Sequence, residues 1–250
     1  MKILPTLAVL LSCSFPALAQ QGLHVGLVSS YNTTWVLDQQ MFDSPEFEVV
    51  PSYAFAPVGL SVGYHFSDEV GLFGQAILTN IRQTFDVEEL DVAIGERTTE
   101  LQYLNVPILF RFSSSPDRTV GFNFYIGPQF SFLLRGEERF TFDGGTNSPF
   151  LTYEATYAST DNDDKYQFNT FDFGGVIAFG AFFNLTEDLY LTLDIRANGN
   201  VLEMREKAWV EAEESLYKNL TSGYRGDMSK RHVVWGGVEA GLHYVFSSAW

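Results

Sequence analysis

The sequence has little cysteine, little charge and no long apolar run. Its one cysteine is Cys13, inside a segment that reads as a removable leader. The mature chain then has no thiol, which excludes disulfides, thiolate metal sites and cysteine nucleophiles. Charged residues make up 18% of the 250 residues, below the roughly 25% of ordinary globular chains. The charge is also one-sided: 15 Lys and Arg stand against 31 Asp and Glu, a formal net charge of −16. Phosphate neutralisation needs a Lys/Arg surface, so nucleic acid is excluded as a partner. No segment after the leader reaches the ~18 apolar residues of a transmembrane helix. No Pro/Ser/Gly-rich spacer or low-complexity tract divides the chain, which therefore reads as one domain.

Residues 1–19 read as a signal peptide and residues 20–250 as the mature domain. Lys2 supplies the positive start, Ile3 to Leu11 a short apolar core, and Ala17-Leu18-Ala19 a small-x-small cleavage site. A lipoprotein signal is the rival reading, because Leu10-Leu11-Ser12-Cys13 resembles a lipobox. Either leader exports the chain. Without a membrane helix, an exported chain is periplasmic, secreted or an outer-membrane barrel.

What is abundant decides among these. Aromatics reach 16%, with 23 Phe, and Gly appears 21 times. Strict alternation recurs, the period-two signature of a strand. Val58, Leu60, Val62, Tyr64 and Phe66 share one face against Gly59, Ser61, Gly63 and His65. Leu104, Val106, Ile108, Phe110 and Phe112 likewise oppose Tyr103, Asn105, Pro107, Leu109 and Arg111. The pattern predicts eight strands near 22–36, 54–66, 70–85, 99–112, 119–135, 167–184, 189–202 and 232–247. The third has no clear phase, since Phe73, Ile77 and Ile81 are as apolar as Leu72, Ala76 and Leu78.

The connections carry more information than the strands. Ser67 to Glu69, Ser113 to Arg118 and Thr186 to Asp188 are short, whereas 37–53, 86–98, 136–166 and 203–231 are long and polar. Short and long alternate without exception. Outer-membrane barrels do this, with tight periplasmic turns and larger external loops. The last strand has the matching chemistry. Val238, Ala240, Leu242, Tyr244 and Phe246 share a lipid-facing phase with Trp250, opposite Gly237, Glu239, Gly241 and His243. The expected fold is all-β: an eight-stranded antiparallel up-and-down transmembrane β-barrel of a Gram-negative outer membrane. Eight strands leave an interior that side chains just fill. Arg111, Asp194, Arg196 and Glu239 are expected to form a hydrogen-bonded polar network there, because buried charges survive only when paired.

Several stretches resemble the PorT-like family of outer-membrane β-barrel proteins. Tyr103-Leu104-Asn105-Val106-Pro107-Ile108-Leu109-Phe110-Arg111-Phe112 is similar to the family's "YLEIPLLLKY" strand, with Asn105 for the usual acid and Arg111 for Lys. Gly127-Pro128, Phe171-Asp172-Phe173-Gly174 and Asp194-Ile195-Arg196 follow in the family's order, Ala197 standing where Tyr is usual. The resemblance implies an eight-stranded outer-membrane barrel. The family's named member is associated with a protein-secretion system.

Candidate sites are few. His24, His65 and His243 share the inward phase near the periplasmic ends of neighbouring strands, so they are the candidates for a Zn²⁺ site. The competing reading makes them interior polar residues bonded to neighbours, with no metal. His232, with Ser229 nearby, is the only imidazole near the external rim, but two residues close in sequence are not a triad. Neither a catalytic residue nor a cofactor is expected. Gly174, Gly175, Gly180, Gly236, Gly237 and Gly241 alternate within strands and suit a crowded wall better than a nucleotide loop. The acidic run Asp161 to Asp164 lacks the Gly and distal Glu of an EF-hand. Val201 to Leu220 has helical composition and is placed over the external mouth.

Function then reads as a structural or interaction role through the extracellular loops, linked to protein secretion or cell-surface assembly. The expected partners are outer-membrane lipid and proteins at the loops or the periplasmic face. Three alternatives stay open: a narrow channel for small solutes, a barrel enzyme acting on lipid, and a soluble lipocalin-like ligand-binding barrel.

Overall fold

The computed structural model describes residues 22–38, 47–89, 92–114, 118–143, 152–158, 168–207, 210–211 and 230–247. The leader with Cys13, Asp161 to Asp164, Ser229 and Trp250 lie outside them. Ten strands follow in chain order: β1 (Gly22–Asp38), β2 (Phe47–Val50), β3 (Ser52–His65), β4 (Val70–Glu89), β5 (Val92–Ser113), β6 (Val120–Asp143), β7 (Thr152–Ala158), β8 (Phe171–Asn184), β9 (Leu189–Asn200) and β10 (Arg231–Ser247).

Eight of them close a ring. Each long strand pairs antiparallel with its neighbours in chain order, and β10 pairs with β1 from Gly22↔Ser247 to Asp38↔Arg231. Closure requires tilted strands and a fixed stagger. The register shows it: Leu23 leads through Tyr64, Leu72, Phe110, Ile126, Ile177, Ala197 and Gly236 back to Thr33 on the starting strand. The sheet therefore meets itself ten residues farther along β1. The short strands lie off the ring, β2 on β4 and β7 on β6.

Alternation sends apolar side chains outward. Leu23, Val25 and Leu27 on β1, Leu60 and Val62 on β3, and Leu242, Tyr244 and Phe246 on β10 are all exposed. In water such a surface would be unstable; facing lipid it costs nothing, and the closed ring satisfies the backbone internally. This is the reverse of a lipocalin, whose apolar face lines the inside.

The structure corrects the strand limits. Residues 86–98 do not form a loop: β4 and β5 run on as a hairpin to Glu89 and Val92. Residues 136–143 extend β6, and 47–50 form β2 within the presumed 37–53 loop. Polarity suggested loops there, but polar residues outside lipid form ladders readily once a partner strand is alongside. The phase of β4 is settled too. Phe73, Ile77 and Ile81 point inward and are buried, so the interior is partly apolar.

The glycines of the wall make room for these inward rings. A Cβ at Gly63 would collide with the ring of Phe73, which is packed with Leu109 and Tyr125 in one buried cluster and cannot move aside. Gly63→Ala is expected to destabilise the barrel by roughly 1–3 kcal/mol, the usual cost of overpacking. Gly74→Ala serves as the control, because its Cβ would meet only Ile108 Cδ1 at 3.8 Å and Val62 O at 4.0 Å. Urea unfolding of the two variants from lipid vesicles measures the difference.

Candidate functional site: the filled interior

The inward residues form layers along the barrel axis. At the end of the short turns, Arg111 lies within rings of Phe73, Tyr125, Phe182 and Tyr190, its guanidinium carbon 5.0 Å from the Tyr190 centroid and 5.7 Å from that of Phe182. Such rings attract a cation through their negative faces. Arg111 Nη1 donates to the Tyr190 hydroxyl at 2.7 Å. That hydroxyl also lies 3.0 Å from His24 Nδ1, and His24 Nε2 is 2.6 Å from His65 Nδ1. His243 stacks on the Tyr190 ring, with centroids 4.8 Å apart and planes at 11°. A cavity of about 150 Å³ reaches these groups from the turns, lined by Ser67, Asp68 and Glu187 among others.

The three histidines therefore do not converge on a common point. His24 and His65 bond each other, and His243 belongs to Tyr190. Among the described residues, no group of three His, Cys, Asp or Glu is arranged to hold a metal ion. The Arg111 guanidinium among them adds a fixed positive charge that opposes a cation.

The middle layer holds the other charges. Arg196 Nη1 lies 2.6 Å from Glu239 Oε2 and donates to Gln75 Oε1 at 2.7 Å, while Gln75 Nε2 donates to Glu239 Oε1 at 3.2 Å. Arg196 Nε donates to Asn198 at 2.8 Å. Asp194 accepts from Asn123 Nδ2. All four expected polar residues are thus inside, but in separate groups: Arg196 and Glu239 pair directly, whereas Arg111 bonds a phenol and Asp194 an amide. A further carboxylate, Asp172, is buried inside on β8 between the outward Phe171 and Phe173. The cavity beside Arg196 and Glu239 is only about 10 Å³, room for about one water.

The external mouth is closed by an apolar plug. Phe168 and Met204, from the two loops that precede β8 and β10, are buried against Val36, Ile81, Leu101, Tyr103, Val233 and Trp235. Asn169 fastens the crossing: its side-chain amide donates to the carbonyls of Glu203 and Arg205, both at 2.8 Å. Of the stretch expected to be helical, residues 201–206 run irregularly into this plug. A helical bond from Val210 N to Glu206 O follows at 3.1 Å; 212–220 lie outside the described residues. Above the plug sits an ionic rim. Arg231 pairs with Asp38 at 2.5 Å and with Glu138 at 3.4 Å, and Arg97 pairs with Glu138 at 2.6 Å. His232 Nδ1 lies 3.0 Å from the Leu202 carbonyl.

Sequence reasoning missed Gln75, on the strand without a clear phase, and the partners of Tyr190 and Asn123, whose inward phase was readable. It placed Val201 to Leu220 over the mouth but missed the packing of Met204 on Phe168, and it missed the rim, whose ion pairs join strands distant in sequence.

A closed antiparallel ring, apolar outside and filled with polar and aromatic side chains, defines an integral β-barrel of the outer membrane. The chain belongs to the family described as the outer membrane protein beta-barrel domain, which it matches over residues 18–199. No curated protein matches it in sequence. Among solved structures it is similar to the attachment invasion locus protein Ail of Yersinia pestis, at 13% identity over 89% of this chain and 99% of that one, TM-score 0.38. It is also similar to OprG from Pseudomonas aeruginosa, at 12% identity over 92% and 97%, TM-score 0.43. Neisserial surface protein A matches at 13% identity over 89% and 96%, TM-score 0.41.

Glu239→Leu leaves Arg196 as a lone buried cation and is expected to destabilise the barrel by about 3–5 kcal/mol. Adding Arg196→Met should restore most of that loss; urea unfolding of both variants in vesicles checks it. The rim responds to acid. Glu138 lies on β6 beyond Leu134, outside the apolar band. Burial pushes its carboxyl up, but Arg97 and Arg231 pull it down further, leaving it below the ordinary glutamate value. A lowered folded value means that the stabilisation is complete above the unfolded value, about 4.3, and is lost as pH falls through the folded one. Hydrogen exchange should therefore show the rim losing protection as pH drops below about 4, with protection unchanged between neutral and mildly acidic pH.

Proposed function

We propose that this barrel is a non-conducting interaction protein, anchored in outer-membrane lipid, which presents its external loops and strand extensions to protein partners. The observation that carries this reading is the filled interior: aromatic and guanidinium packing at one end, an ion-paired middle, and an apolar plug at the mouth. A solute would have to displace all three layers. Above the apolar band, β4, β5 and β6 continue as paired strands, and β2 and β7 widen the sheet. That projecting sheet supplies a rigid base for the long loops.

The resemblance to PorT-like barrels supports a partner within protein secretion or cell-surface assembly. The protein is read as non-enzymatic. His232, the imidazole nearest the external side, has Nδ1 within hydrogen-bond distance of a backbone carbonyl, which gives it a structural task.

Planar-bilayer recording tests the reading. The refolded mature chain is expected to give no discrete conductance, and stable single-channel steps would refute it. Crosslinking in intact cells, followed by affinity capture of the barrel, should yield a defined protein partner. Trimming the loops beyond Asp143 and Met204 should abolish that capture while the heat-modifiable mobility of the folded barrel remains.

A further inference from the structure

The wall of the barrel has a seam. β3 and β4 pair from His65↔Gly71 up to Gly59↔Ile77, and β2 then pairs with β4 from Val50↔Thr84 to Phe47↔Val87. Between these ladders, residues 78–83 of β4 have no paired partner on β3 among the described residues. β4 itself stays in place, because it remains paired with β5 through that stretch. β3 stays on β1, from Ser52↔Thr34 to Ala56↔Ser30, with a bulge just after. The two strands therefore part along one side only.

The inner edge of the seam is laced by side chains. Thr34 Oγ1 donates to the Arg82 carbonyl at 2.8 Å and accepts from the Arg82 amide at 3.2 Å. Gln83 Nε2 donates to the Val50 carbonyl at 3.1 Å. Since Arg82 turns its N–H and C=O toward the seam, alternation turns those of Leu78 and Asn80 the same way. Backbone groups without a ladder partner among the described residues are costly at the edge of hydrocarbon, so this edge favours a polar occupant.

The seam also forms a cleft of about 350 Å³ between Tyr53, Ala54 and Phe55 on one side and Asn80, Ile81 and Arg82 on the other. That is within the size range of small-molecule sites. Tyr53 and Phe55 are outward and exposed, and Tyr53 stacks on Tyr31 at 5.9 Å. Glu100, Gln102 and Arg135 complete the rim. On β4 the outward residues pass from Leu78 to Asn80 and Arg82, and on β5 from Leu104 to Gln102 and Glu100. The cleft therefore sits where the apolar band ends on the external side.

Charge identifies the occupant. Arg82 pairs with Glu100 at 3.5 Å, and Arg135 and Arg139 both pair with Glu137, at 2.7 and 3.0 Å. Of the charged side chains that line the cleft, Arg82 and Arg135 are positive and Glu100 is negative, a local positive excess in a chain of net charge −16. Arg82 and Arg135 are each more than half exposed, so they can turn from these weak surface pairs to a ligand.

We infer that the β3–β4 seam binds one net-anionic phospholipid-like amphiphile of the surrounding outer leaflet. Its acyl chain lies against Tyr53 and Phe55. Its phosphate is held by Arg82, Arg135 and the seam-facing amides of Leu78 and Asn80 on β4. The inference is independent of which protein the loops engage.

Native mass spectrometry of the refolded mature chain in detergent tests it, with phosphatidylglycerol and phosphatidylcholine of identical acyl chains as probes. One phosphatidylglycerol per barrel should be retained in preference to phosphatidylcholine. Arg82→Gln with Arg135→Gln should remove that preference, a loss of about fivefold per arginine, from the ~1 kcal/mol a basic residue contributes near anionic lipid. Arg118→Gln with Lys207→Gln removes the same charge elsewhere and should leave retention unchanged. Tyr53→Ala with Phe55→Ala should weaken both lipids alike. All four residues of the site variants are outward, so heat-modified mobility should confirm folding in each. Equal retention of the two lipids, an unchanged preference in the Arg82/Arg135 variant, or an equal loss in the charge control would overturn the inference.

Discussion

The barrel depends on its backbone hydrogen bonds. In hydrocarbon no water is present to satisfy an unpaired N–H or C=O, so a sheet there must close on itself. Here closure is made by the first and last strands of the ring, β1 and β10, along the whole length of both. The ten-residue stagger that accompanies closure tilts the strands and sets the bore. With eight strands the bore is narrow, and side-chain volume fills it. Filling is therefore a consequence of strand number as much as of residue choice.

A filled bore in a membrane imposes its own chemistry. Interior side chains lie in a low dielectric, where a lone charge is expensive and a matched pair is tolerated. The chain meets this in two ways. Arg196 is matched by Glu239 at 2.6 Å, a direct pair with Gln75 bridging both partners. Arg111 is instead surrounded by aromatic faces and bonded to the Tyr190 hydroxyl. The second arrangement also places the histidines: His24 bonds the Tyr190 hydroxyl and His65, while His243 stacks on the Tyr190 ring. Inward glycines are the counterpart of this crowding, since Gly63 gives Phe73 the space in which the aromatic group forms.

Much of the spanning region was legible in the sequence. Alternation along 58–66 and 104–112 sets which side chains meet lipid, and the order of short and long connections gives the strand count and the orientation. β4 was harder to read because both of its faces are apolar: one meets lipid, and the other packs inside with Phe73, Ile77 and Ile81. A period of two cannot tell those environments apart. The strand extensions were hidden for a different reason. Residues 86–98 look like loop because they are polar, yet outside the membrane a paired polar strand is as good as an apolar one. Val201 to Leu220 was placed over the mouth, but the apolar contact of the plug was beyond sequence reasoning, because Phe168 and Met204 are far apart in the chain and meet only when two loops cross the mouth. The partners within the interior are likewise set by the stagger, which no single strand encodes.

The same constraint explains where the sheet is allowed to be imperfect. Within the apolar band the ladders of the ring are interrupted only briefly, at the bulge after Val28 and beside Pro107 and Pro128. At the external boundary, where headgroups and water can reach the backbone, the requirement relaxes. That is where β3 leaves β4 and where Thr34 bonds Arg82 in place of a neighbouring strand. Farther out, β2 and β7 join the sheet by one ladder each among the described residues, an arrangement that hydrocarbon would penalise. The barrel thus passes from obligatory closure to open edges over a few residues of β4 and β6. Chemistry with the surroundings becomes possible at that transition, because it is the first level at which backbone groups, arginines and aromatic rings are all accessible together.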